Sequence, residues 1–165
     1  MQCKAHGTQN PRQYKKYGEG TSTAQRSNAL PQSVVNMRLA FILDPLDGLK
    51  AHKDTSLAIM REAAKRGHSL FVAEQGDLLL RNEQVRLRAR KFEFKQGAQW
   101  YRLEDAHETA PSDFDAVLMR KDPPFDNEYL YSTYLLELAQ AQGARVLNHP
   151  RHVRDWNEKL SVARF

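Results

Sequence analysis

The sequence is 165 residues long, with 41% hydrophobic and 27% charged residues and a formal net charge of +5. This composition is typical of one globular domain of ordinary size, and no apolar run approaches the roughly 20 residues that a membrane span needs, so we predict no membrane partner. The single cysteine, Cys3, excludes a disulfide framework and a cysteine-based metal site, and it favours a reducing, cytoplasmic location.

The excess positive charge is concentrated near the N-terminus. Residues 1–36 contain five Lys and Arg but only one acidic residue, whereas the rest of the chain is close to neutral. We therefore predict no nucleic-acid partner. The same 36 residues have no apolar periodicity, so we expect them to be a disordered extension. Because Met37 directly precedes the first strand pattern, a start codon assigned too far upstream explains this extension better than a targeting role.

From Met37 onward, strand and helix patterns alternate. Residues 38–43 predict a buried strand, residues 54–66 a capped helix, and residues 69–73 a second strand. A strand–helix–strand unit of this kind predicts two parallel strands joined by a right-handed crossover.

The middle of the chain predicts a β-hairpin over residues 78–95. Between residues 85 and 90 apolar side chains alternate with arginines, which indicates one buried and one solvated face. The apolar phase then shifts by one residue at Phe92, which predicts a bulge nearby. We interpret the basic cluster of this strand as a solvated face rather than an anion-binding strip; it consists of Arg86, Arg88, Arg90 and Lys91.

The C-terminal half continues the alternation. We expect residues 100–111 to be a loop with a short strand at 100–103, and residues 115–119 to be a buried strand. Residues 126–142 predict a long helix, whose inner face we expect to contain Leu130, Tyr134, Leu138 and Ala141.

After this helix we predict a strand at residues 145–148 and a break at His149 and Pro150. A last helix, capped by Asp155 or Asn157, should continue to the end of the chain. The order of elements predicts the α/β class: three layers around a mainly parallel sheet, with the β-hairpin as an excursion.

The end of the strand at residues 115–119 is the strongest functional signal. Arg120, Lys121 and Asp122 follow it, and two prolines then force the chain to turn. Asp44 ends the first strand at the same edge of the sheet, where α/β proteins bind ligands. These side chains suit an anionic or zwitterionic small molecule. The alternative is that Arg120 and Asp122 only cap the strand and pair with each other.

Other signatures of chemistry are weak. The sequence has no Walker loop, no glycine-rich dinucleotide turn and no Gly-x-Ser-x-Gly elbow. His149 and His152 have a spacing compatible with a shared metal, but no third clear ligand lies nearby in the sequence, so we predict no metal site.

The segment MRKDPPFD at residues 119–126, followed by a tyrosine-rich helix, resembles the N-terminal domain of bacterial glutathione synthetases. The resemblance runs from residue 37 to residue 165, and its supporting stretches are residues 43–45, 53–56, 74–78, 148–150 and 157–160. It implies a Rossmann-like pre-ATP-grasp domain at residues 37–155 and the truncated start of an ATP-grasp region at residues 156–165. Residues 1–36 have no counterpart in the family.

The resemblance implies a ligase that joins γ-glutamylcysteine to glycine through an acyl phosphate, using ATP and Mg²⁺ or Mn²⁺. It also implies a homo-oligomeric enzyme. The implied substrate-binding residues are Arg120, Lys121, Asp122 and Asp44, and Lys159 matches an ATP-binding lysine of the family.

Because the sequence ends shortly after Lys159, the resemblance implies that the ATP-grasp domain is missing. We therefore expect no catalytic residue within this chain, no tight binding of ATP or metal, and no activity from the chain alone. The alternative function is a stand-alone, non-catalytic α/β module that binds a peptide or another subunit. Tight binding of γ-glutamylcysteine or glutathione without a second domain would favour that module.

Overall fold

A computed structural model describes residues 35–50, 52–156 and 162–163 of the protein. In this part of the chain none of the helices has the length and apolar character needed to cross a membrane. The strands are β1 (Arg38–Leu43), β2 (Ser69–Glu74), β3 (Leu78–Arg81), β4 (Gln84–Phe94), β5 (Tyr101–Thr109), β6 (Ala116–Met119) and β7 (Val146–Leu147). The α-helices are α1 (Thr55–Lys65), α2 (Asn127–Ala141) and α3 (Pro150–Asp155).

These seven strands form one sheet in the order β3-β4-β2-β1-β6-β7, with β5 paired to β4. The four strands β2, β1, β6 and β7 are parallel neighbours, whereas β4 is antiparallel to β2, β3 and β5. The predicted three-layer α/β class is confirmed. The hairpin of β3 and β4 is part of the main sheet rather than an excursion from it, because β4 pairs directly with β2.

The predicted β1–α1–β2 crossover is also confirmed. The Asp54 carboxylate caps α1 by accepting the Leu57 amide at 2.9 Å, and Gly67 follows the helix with φ of 82°. Side chains of β1 alternate between two cores. Phe41 packs in the core that contains Leu57 of α1, and Ile42 packs in the core that contains residues of α2. The sheet is therefore covered on both faces.

Strand β5 is longer than the predicted strand at residues 100–103. Most of its side chains are exposed, although Tyr101 and Leu103 pack against the core. The apolar alternation is therefore too short to reveal the whole strand from sequence. Backbone pairing with β4 and ion pairs such as Lys91–Glu104, at 3.2 Å, hold it in place. The predicted bulge is confirmed near Arg90. The extra residue lies in β5, because the partner changes from Ala106 to Leu103 over two residues of β4.

The predicted inner face of α2 is wrong. Tyr134 and Leu138 are 49% and 38% exposed, and the buried residues are instead Tyr129, Ser132, Thr133, Leu136 and Ala139. Apolar residues occur on every side of this helix, so their spacing in the sequence does not identify the buried face. Ser132 and Thr133 can be buried because their hydroxyls donate to backbone carbonyl oxygens of the preceding turn, at 2.8 and 2.6 Å.

The end of the described chain also differs from the prediction. The strand ends before His149, as the predicted break requires, but Pro150 already begins α3, where a missing N–H is tolerated. Asp155 is the last residue of this helix. Asn157 and Lys159 lie outside the described residues, as do residues 1–34, so the predicted boundaries at 1–36 and 156–165 stay predictions.

The buried face of α2 makes a stability prediction. Leu136 is 1% exposed, so Leu136→Ala should lower the free energy of unfolding by about 2–5 kcal/mol through lost burial and a residual cavity. Leu138→Ala removes the same atoms from a partly exposed site and should cost clearly less. Urea unfolding of both variants checks this, and equal losses would show that the helix face is misassigned.

Candidate functional site

The segment that follows β6 is fixed at both ends. The Arg120 amide donates to the Ile42 carbonyl oxygen at 2.8 Å, which continues the pairing between β6 and β1. Beyond it, the Pro123–Pro124 peptide bond is cis. Asp126 then caps α2, since its carboxylate accepts the Tyr129 amide at 2.9 Å. Residues 120–126 therefore form a short connection between a buried strand and a helix with one buried face.

Asp44, at the end of β1, binds this segment through both carboxylate oxygens. Lys121 Nζ lies 2.9 Å from Asp44 Oδ1, and the Asp122 amide donates to Asp44 Oδ2 at 2.8 Å. Burial opposes ionisation of Asp44, but the hydrogen bond from Lys121, the hydrogen bond from Asp122 and the Lys121 charge outweigh it and lower the pKa of Asp44. Asp44 is therefore a carboxylate that ties the ends of β1 and β6 together.

Arg120 has neutral partners. Its Nε donates to Ser56 Oγ at 3.1 Å and its Nη2 donates to Thr55 Oγ1 at 2.9 Å. Ser56 is 4% exposed, so the first turn of α1 provides a fixed support for the guanidinium. Among the described residues Arg120 forms no ion pair. The alternative of an Arg120–Asp122 pair is wrong, because the ion pair at this edge joins Lys121 to Asp44.

Tyr129 is a further residue of this region. Burial raises the pKa of Tyr129, while the nearby Lys121 and Arg120 charges act in the opposite direction. The ring also packs against Phe125, with centroids 4.9 Å apart. Sequence reasoning missed Tyr129, although its position three residues after the helix cap Asp126 places it in the first turn, beside the cationic segment.

Sequence reasoning also missed Thr55 and Ser56 as partners of Arg120. The available signal was topological. Both residues begin the helix that follows β1, and the N-terminus of such a helix lies at the same edge of the sheet as the carboxyl ends of the strands. Next to this edge a surface cavity of about 290 Å³ is lined in part by Lys50, Lys53 and Asp122.

The sequence-predicted residues are therefore only partly brought together. Arg120, Lys121, Asp122 and Asp44 meet at one edge, whereas Lys159 lies outside the described residues. In the described ranges no three His, Cys, Asp or Glu side chains are close enough to hold a metal ion.

Comparison with known proteins identifies the relationship. A family model described as the prokaryotic glutathione synthetase N-terminal domain matches residues 37–154. The chain belongs to this family. The match includes β1 through most of α3, and so includes the Asp44–Lys121 pair and the Arg120 support. The family assignment made from the MRKDPPFD segment is confirmed.

Curated glutathione synthetases from three bacteria give the same result. The protein from Nitrosomonas europaea is 54% identical over 133 residues, that from Bordetella pertussis 50% over 135, and that from Salmonella typhimurium 42% over 130. Each alignment covers 78% of this chain but only 41–42% of the relative. The chain thus spans about two fifths of the length of these glutathione synthetases.

The Asp44 contacts predict a pH-dependent stability. Asp44→Asn should lower the free energy of unfolding near pH 7 by about 1–3 kcal/mol, because Lys121 loses its charged partner. The pKa of Asp44 is lower in the folded chain than in the unfolded chain. The stabilisation is therefore fully present when the pH is above the unfolded-state pKa of about 3.9. The stabilisation is lost as the pH falls through the folded-state pKa of Asp44.

Urea unfolding at several pH values between 3 and 7 would measure this difference. The matched control is Asp105→Asn, which removes an exposed carboxylate of β5 for which the described structure has no partner. A wild-type advantage that stays constant down to pH 3 would contradict the assignment of Asp44 as an ionised, paired carboxylate.

Proposed function

We propose that this domain provides the peptide-binding wall of a glutathione synthetase, and that Arg120 binds a carboxylate of γ-glutamylcysteine. The observation that carries the proposal is the setting of Arg120, whose guanidinium is held by two hydroxyls and has no carboxylate partner among the described residues. Guanidinium presents five N–H donors in a planar fork, so donors remain for a ligand. Carboxylates match this fork with two parallel hydrogen bonds.

The electrostatics of the edge also support an anionic ligand. Arg120 lies beside the first turn of α1, and the N-terminus of a helix carries partial positive charge. Lys50 and Lys53 line the neighbouring cavity. Asp54 and Asp122 line the same cavity and offset these two lysine charges, so the Arg120 guanidinium is the cation that supports an anionic ligand.

Three further residues border the proposed ligand and fix the backbone at Arg120: Asp44, Lys121 and Asp122. The Lys121 charge is already paired with Asp44, which makes Lys121 a weaker candidate than Arg120 for direct contact with a carboxylate. The Asp122 side chain is exposed next to Lys50 and Lys53 and is available to a polar ligand group.

For the complete enzyme we propose the reaction that the names of the relatives describe, the synthesis of glutathione. ATP, bound with Mg²⁺ or Mn²⁺, would phosphorylate the free carboxylate of γ-glutamylcysteine and leave as ADP. The amine of glycine would then displace phosphate from the acyl phosphate. In the proposal the enzyme is a cytoplasmic homo-oligomer, and Lys159 contacts the nucleotide. The described residues contain no cluster of three His, Cys, Asp or Glu side chains that could hold a metal ion. Their part in the proposal is to hold and orient the peptide.

Calorimetric titration with γ-glutamylcysteine tests the role of Arg120. The chain should bind the peptide, and Arg120→Gln should weaken binding at least about tenfold, which corresponds to the loss of charged hydrogen bonds. Arg120→Lys should also weaken it, because an ammonium cannot provide the planar fork. The control Arg81→Gln changes an arginine whose side chain is 64% exposed on β3 and should bind normally. Unchanged binding by Arg120→Gln would refute the role.

A second experiment concerns activity. Because the chain spans about two fifths of its relatives' length, we predict no ATP-dependent glutathione formation from the purified 165-residue chain. A full-length relative assayed in parallel provides the positive control. Steady turnover by the pure chain would contradict the prediction. Peptide binding as tight as that of the full-length relative, without turnover, would favour the alternative function, a stand-alone binding module. The proposed function predicts weaker binding than by the relative, because this domain provides one wall of the site.

A further inference from the structure

A second, smaller cavity lies next to the Asp44 side chain. Its volume is about 180 Å³, and its apolar lining includes Leu43, Leu46 and Val72 from the core on the α1 side of the sheet. Its polar lining consists of Asp44, Asp47, Glu74, Arg90 and Tyr101. The cavity therefore combines one cation with several carboxylates at the carboxyl ends of β1 and β2.

Arg90 differs from the other members of the basic cluster on β4. Arg86 pairs with Glu108 at 3.6 Å, Arg88 with Asp77 at 2.8 Å, and Lys91 with Glu104 at 3.2 Å, so acids neutralise these three. Arg90 is half-buried, and its side chain forms neither an ion pair nor a hydrogen bond within the described residues. A partly desolvated cation without a partner is unfavourable, and an anionic group in the cavity would relieve that cost.

The carboxylates of the cavity are held away from Arg90. Asp47 Oδ1 accepts a hydrogen bond of 2.6 Å from the Tyr101 hydroxyl, which links the loop after β1 to β5. Asp44 is occupied by Lys121, and Glu74 is exposed at the end of β2. None of these carboxylates comes within ion-pair distance of Arg90, and among the described residues they form no metal-binding group. The Arg90 guanidinium and these carboxylates therefore line one cavity without pairing with each other.

We propose that this cavity binds the α-amino acid group of a ligand, with the carboxylate on Arg90 and the ammonium on Asp47 and Glu74. A zwitterion satisfies both walls at once, whereas a simple anion would leave the carboxylates unpaired and close to its own charge. Two ligands carry such an α-amino acid group: γ-glutamylcysteine, at its γ-glutamyl end, and a free amino acid such as glycine. The first source rests on the proposed function, because Asp44 connects the cavity to the Arg120 segment.

Amide NMR spectra of the ¹⁵N-labelled 165-residue chain can test this residue by residue. The probes are γ-glutamylcysteine, the analogue glutarylcysteine, which lacks the α-ammonium, and glycine. We expect an α-amino acid probe to shift the signals of Asp47, Arg90 and Tyr101. If the source is the peptide, glutarylcysteine should shift them at least about tenfold more weakly, because it keeps the carboxylate but has no ammonium for Asp47 and Glu74. If the source is a free amino acid, glycine alone should shift them.

Arg90→Gln should abolish these shifts, and Asp47→Asn should reduce them. The matched control Arg86→Gln changes an acid-paired arginine on the same strand and should leave them unchanged. The spectra themselves report whether each variant is folded. The proposal is overturned if no probe shifts the cavity signals at millimolar concentration, or if Arg90→Gln responds like the wild type. If a probe shifts the Arg120 signal but not the cavity signals, this inference is overturned and the proposed function stands. If a probe shifts the cavity signals but not the Arg120 signal, only the proposed role of Arg120 is refuted.

Discussion

The Asp44 carboxylate is the interaction on which the rest of the site depends. One oxygen binds the Lys121 ammonium and the other accepts the Asp122 amide, so the ends of two neighbouring parallel strands are joined. The chain turns at two prolines directly after these residues, and the clamp fixes where that turn begins. The direction of Arg120, one residue earlier, follows from this clamp and from its backbone bond to Ile42.

The two charged regions near Asp44 are arranged in different ways. On one side, Arg120 rests on the hydroxyls of Ser56 and Thr55 next to a positive helix terminus, which favours an anion. On the other side, Arg90 faces carboxylates across a small cavity, which favours a zwitterion. A peptide with a carboxylate at one end and an amino acid group at the other carries the charges that these two regions would bind.

Local patterns predicted part of this structure. The capped helix after β1 and the buried strand before Arg120 depend on neighbouring residues, so the sequence was sufficient for both. The buried face of α2 was not predictable, because Ser132 and Thr133 replace apolar residues by bonding to their own helix. At the site, the topology of parallel strands predicted that Asp44 would lie near Lys121. The partners of Arg120, and the absence of a partner for Arg90 in the described residues, depend on contacts distant in sequence.

A crystal structure of the chain with γ-glutamylcysteine tests most directly whether Arg120 binds the peptide carboxylate. We expect one carboxylate of the peptide within hydrogen-bond distance of the Arg120 guanidinium, while the contacts from Arg120 to Ser56 and Thr55 are retained. A peptide bound elsewhere on the domain, with the Arg120 guanidinium still held only by these hydroxyls, would contradict the account.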